Sequence, residues 1–122
     1  MLVLLARLRA QVDLQAALIG GDDYSEFVAA DQSFHRQMYE AAGLPDLWDL
    51  VRRGSGHVDR LRRLHLPSAG KAQAVVRDHR CIVDAIAQHD PEAAQARLRE
   101  HLSGTLSQID EICQRYPDYV SA

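Results

Sequence analysis

DQSFHRQMYEAAG, residues 31–43, has its side chains spaced for a helix. Val28, Asp31, His35, Met38 and Ala42 follow one another at steps of three and four, so they share one helix face. Gly43 then supplies a stop. Three members of that face are apolar and two are not. The face predicts both a core-facing helix and a carboxylate with an imidazole turned into the core.

The same 3.6-residue rhythm extends outward in both directions. Upstream, Leu5, Leu8, Val12, Ala16 and Ile19 predict a helix over about 2–19, stopped by Gly20 and Gly21. Asp22 or Asp23 is placed to cap the helix that carries residues 31–43. Downstream, Pro45 opens a third helix running to about Leu64, with an interruption expected at Gly54 and Gly56. Residues 66–71 read as a loop. A fourth helix over about 72–88 turns Val75, Val76, His79, Ile82, Val83 and Ile86 to one side. HDPEAA (89–94) then marks a helix start, with Asp90 as N-cap and Pro91 in the first turn. That fifth helix is expected to run to about Tyr116. No stretch alternates as a strand does, so the predicted fold is all-α, an antiparallel bundle with short connections.

The composition agrees with this. Of 122 residues, 47% are hydrophobic, 25% charged and only 6% aromatic, which suits one globular domain. The net charge of −3 gives no electrostatic footprint of a nucleic-acid-binding domain. Arg7, Arg9, Gln11, Asp13 and Gln15 break the first apolar run, which makes it neither a membrane span nor a signal peptide. Cys81 and Cys113 form no CxxC pair and read as buried free thiols of a cytoplasmic protein.

Three predicted helices send metal-type ligands inward: Asp31 and His35 from the second, His79 from the fourth and His101 from the fifth. A buried carboxylate without a partner is costly, and a buried imidazole needs partners too. A divalent transition metal would satisfy all four: zinc as the default, or nickel, iron or manganese. A buried network of Asp31 with one or two imidazoles is the alternative. His57, His65 and His89 are assigned no ligand role.

Three blocks in order carry a family likeness. DQSFHRQMYEAAG (31–43), RDHRCIVDAIAQHDPEAA (77–94) and RLREHL (97–102) resemble the effector-binding FCD domain of the FadR branch of GntR-type transcription regulators. The resemblance covers about residues 22–106. It implies an all-α bundle with a central metal in many members, mapping here onto Asp31, His35, His79 and His101. It further implies a small carboxylate effector beside the metal, a homodimer, and control of an attached winged helix-turn-helix. The family's R-x-R is matched by Arg60 and Arg62, which become candidate effector contacts. Leu44 stands where the family usually carries Asn.

On this reading residues 1–122 form a single FCD-like domain, truncated at its N-terminal side and lacking the winged helix. The expected function is sensing and dimerisation, without direct DNA binding, membrane insertion or catalysis. Leu2, Val3, Leu4 and Leu5, apolar nearly all round the helix, point to burial in the bundle or against a second chain. Two other functions compete. A metal-dependent hydrolase would need a general base, for which Glu40 and Asp78 are candidates. A structural helical module would need only the polar network.

Overall fold

A computed structural model describes residues 2–21, 24–54, 56–101 and 114. Five helices have both ends within these residues: α1 (Leu2–Leu18), α2 (Ser25–Ala41), α3 (Pro45–Arg53), α4 (Gly56–His65) and α5 (Lys71–Ala87). A sixth, α6, is helical from 91 through 101. No strand occurs among the described residues. The fold is an all-α bundle with short connections. Apart from residue 114, which is helical, the expected continuation from 102 to Tyr116 lies outside the described residues, as do Cys113, the proposed caps Asp22 and Asp23, and the His57 side chain.

α1 packs on α2 and α5, and α2 also meets α3 and α4. The core between them is built from Leu5, Leu8 and Val12 of α1, Phe27, Val28 and Phe34 of α2, and Val75, Val76, Ile82 and Val83 of α5. Phe27, Val28, Phe34 and Leu8 are completely enclosed. Burying a side chain of this kind contributes roughly 1.5–3 kcal/mol. Leu98 of α6 and Met38 of α2 pack against the rim of this core.

The helix ends follow local chemistry. At the end of α2, Gly43 takes φ +76, the Gly43 N–H donates to Glu40 O and the Leu44 N–H to Tyr39 O. This is a Schellman closure, and it needs a left-handed residue at that point. α5 ends the same way, with His89 at φ +54 in place of a glycine. Asp90 caps α6 as expected: its Oδ1 accepts from the Ala93 N–H at 3.0 Å.

Three expectations change. The third helix is two helices, because Gly54 and Gly56 each disfavour a helix interior by about 1 kcal/mol within three residues. Ala42, the C-cap of α2, is exposed, as is Ala41 before it. Leu2 and Val3 stay 83% and 64% exposed, so the bundle itself does not bury them, and of the two expected partners the second chain is the one left. Cys81 is a half-buried free thiol. No helix among the described residues is long and apolar enough to cross a membrane.

Candidate metal centre

α2 runs through the middle of the bundle and presents Asp31 and His35 one turn apart. α5 brings His79 to them, and α6 brings His101. One ligand atom from each of the four residues lies within 4.8 Å of the others. His79 is 0% exposed, Asp31 2% and His101 6%. His35 is partly covered.

Asp31 is the hub. Its Oδ2 accepts a 2.7 Å hydrogen bond from Arg62 of α4. Its Oδ1 points the other way, 3.5 Å from His35 Nε2 and 3.3 Å from His79 Nε2. Burial alone would raise the Asp31 carboxyl, but the Arg62 charge, and after it the neighbouring His35 ring, hold it well below the usual carboxylate range. Asp31 is therefore an anion at neutral pH. Its partner Arg62, against the cost of burial, is held more firmly protonated by Asp31 and Asp59.

His79 and His101 are kept neutral. Burial pushes His79 down to about 3, only partly offset by Asp31. Burial also lowers His101, although Asp78 opposes this. Neutral imidazole is the form that binds metal.

Both rings are oriented from outside the cluster. His79 stacks on Phe34, with centroids 4.2 Å apart and planes 11° from parallel. Its Nδ1 lies 2.8 Å from Gln15 Oε1 of α1. His101 Nδ1 donates to Asp78 Oδ2 at 3.1 Å. A carboxylate or amide oxygen on one nitrogen fixes the tautomer and leaves the other nitrogen as a ligand.

Two buried atoms test whether the residues suit a cation. Asp31 Oδ1 and His79 Nε2 have no hydrogen-bond partner, yet they face each other. An ionised carboxylate only accepts, and so does Nε2 of a ring protonated at Nδ1. Two acceptors in a dry core repel unless a positive charge sits between them. Three imidazoles and a carboxylate are a suitable donor set for a divalent transition metal. Ligands about 2.1 Å from one ion lie no more than about 4.2 Å apart, so the cluster would contract slightly to hold it.

All four residues picked from helical periodicity meet here, and Arg62 reaches the same centre. Arg60 does not. It is exposed and lines a groove with Arg53, Asp59 and Arg63 between α3 and α4. Asp59 anchors that end of α4, accepting from Gln32 of α2 at 3.3 Å and pairing with Arg52 of α3. Of the two candidate bases, Asp78 is engaged with His101, and Glu40 pairs on the surface with Arg36. Gln15 and Phe34 were missed as site residues. Gln15 had a signal: it extends the Leu5, Leu8, Val12 stripe at the proper three-residue step.

Comparison with known proteins points the same way. The FCD domain profile matches residues 3–104. An uncharacterized HTH-type transcriptional regulator in an unstable DNA locus of Streptomyces ambofaciens is 32% identical over 96 residues, covering 79% of this chain and 41% of the relative. The HTH-type transcriptional repressor RspR of Escherichia coli K12 is 23% identical over 115 residues, covering 94% of this chain and 50% of RspR. The uncharacterized regulator YdfH of Shigella flexneri matches over the same shares. The chain thus spans half or less of the length of these curated relatives. Their names point to regulation rather than catalysis.

Proposed function

The chain belongs to the FCD domain family, and on that premise we propose that it is the metal-containing, effector-sensing domain of a GntR-type transcription regulator. The observation that carries this is the buried cluster itself: ligand atoms of Asp31, His35, His79 and His101 lie within 4.8 Å of one another, and Asp31 Oδ1 and His79 Nε2, 3.3 Å apart, have no hydrogen-bond partner. Asp31, His35, His79 and His101 would hold a divalent ion, zinc by default. Such an ion supplies a Lewis-acidic centre at which an oxygen donor can bind.

Arg62 gives the site its preference for anions. One guanidinium nitrogen holds Asp31, and a guanidinium carries five N–H donors in all. A small carboxylate entering beside the cluster would share Arg62 with Asp31 in the planar geometry that guanidinium favours. Arg62 belongs to α4 and Asp31 to α2, while His79 and His101 belong to α5 and α6. A ligand that touches this centre therefore acts on four helices at once. Differential contact of that kind is what lets a ligand favour one arrangement of a bundle over another.

In the regulator this bias would pass through a homodimer in the cytoplasm to DNA-binding domains, with no DNA contact from this chain. Exposed Leu2 and Val3 on α1, and Leu44, Leu47 and Leu50 in and beside α3, offer apolar surface for such a pairing. Sedimentation at twice 13.6 kDa would support the dimer, and a strict monomer at high concentration would refute it.

The effector claim is tested by thermal unfolding of zinc-loaded protein with a panel of small mono- and dicarboxylates. A true effector at one hundred times its Kd stabilises by about 2.7 kcal/mol. Arg62→Met should abolish the shift even at zinc concentrations that keep the site filled, as checked by metal content. If no carboxylate raises the melting temperature at millimolar concentration, the carboxylate class is wrong.

A further inference from the structure

We propose that Gln15 is the positioning residue that sets the tautomer of His79, presenting its Nε2 as a lone pair to the metal. The inference rests on the metal reading above for its purpose, but not for its geometry. Gln15 lies on α1, which contributes no ligand. It is nonetheless 0% exposed, an uncommon place for an amide. Both ends of that amide are engaged: Nε2 donates to the Phe27 carbonyl oxygen at 3.3 Å, and Oε1 lies 2.8 Å from His79 Nδ1.

The direction of each hydrogen bond follows from what each atom can do. The Phe27 carbonyl can only accept, so the amide must turn its NH₂ toward it. A flipped amide would set Oε1 against that carbonyl, acceptor against acceptor. With NH₂ fixed on Phe27, Oε1 is left facing His79, and it too can only accept. His79 Nδ1 must therefore carry the proton. A neutral ring has one N–H, so Nε2 is left bare, and Nε2 is the atom that faces Asp31 Oδ1. A backbone carbonyl in α2 thus dictates, through a side chain of α1, which nitrogen of α5 is available. Phe34 fixes the plane of the ring but has no means of choosing between its nitrogens.

The test reads the tautomer and the metal separately. Long-range proton–nitrogen NMR on metal-free, ¹⁵N-histidine-labelled protein reports which ring nitrogen carries hydrogen. Wild-type His79 should be in the Nδ1–H form before any metal is added. Gln15→Met, of similar size but without an acceptor, should show mixed tautomers at His79. It should bind zinc 10–100-fold more weakly, the usual loss when an outer-shell partner of a metal-binding histidine is removed. Gln15→Glu, whose buried carboxyl when protonated donates to the Phe27 carbonyl and keeps an acceptor toward Nδ1, should keep the Nδ1–H form and stay within a few-fold of wild type. An Nε2–H form in the metal-free wild type overturns the proposal, and this needs no variant to fold. So does a Gln15→Met protein with unchanged tautomer and zinc affinity. Failure of wild type to take up zinc would instead refute the metal reading, while the tautomer would still decide the role of Gln15.

Discussion

His79 is a histidine that the fold keeps from titrating in its ordinary range. In the unfolded chain it takes up a proton near 6.5, and in the bundle only near 3. Between those values the unfolded state holds a proton that the folded state lacks, so stability falls as the pH falls through the window. Above 6.5 the contribution is complete. His101 is shifted in the same direction, and Asp31, ionised well below 3.8, adds a further loss at more acid pH. Each such group gives a slope of about 1.4 kcal/mol per pH unit inside its window. Metal-free protein should therefore unfold at clearly lower urea at pH 4.5 than at pH 7.5. An unchanged midpoint would mean that the imidazoles are hydrated rather than buried. The same residues show what a sequence can reveal at this scale. Asp31, His35, His79 and His101 could be placed on inward faces because helical spacing alone fixes a face. The preference of Arg62 over Arg60 could not be read, since residues two apart point to different sides and the helix phase is reset at Gly54. Gln15 is not legible as a site residue, because a polar side chain in a buried register looks like a break in the pattern until its partners are known.

At the level of elements, most helix boundaries followed from capping chemistry. α1, α2 and α5 lie close to where their apolar stripes and stop signals put them. The split between α3 and α4 was visible as two glycines but not as a full break, because local propensity does not say whether tertiary contacts will carry a helix across a weak point. α6 delivers His101 to the cluster, and Asp90 caps its start. Asp90 Oδ1 satisfies the Ala93 N–H, and its charge sits at the positive end of the helix. Asp90→Ala should cost about 1 kcal/mol in denaturant unfolding. It should also weaken metal binding, because the helix that holds one ligand becomes less well fixed. A variant with full stability would show that α6 is held by its packing alone.

For the molecule as a whole, the bundle is an apolar frame around a polar centre. α1, α2 and α5 supply most of the core, while α2, α4, α5 and α6 converge on Asp31 and the histidines. A metal that binds only the folded form would stabilise this frame by mass action, so its removal should lower the melting temperature. The central claim is that a cation separates Asp31 Oδ1 from His79 Nε2. Elemental analysis of protein purified without a polyhistidine tag or chelator, wild type beside His79→Ala, tests it most directly. The account predicts about one transition-metal ion per chain in the wild type, held by Asp31 and the three histidines, and loss of that ion in the variant. Wild-type protein that contains no metal, and takes up none when zinc, nickel, iron or manganese is offered, would contradict it.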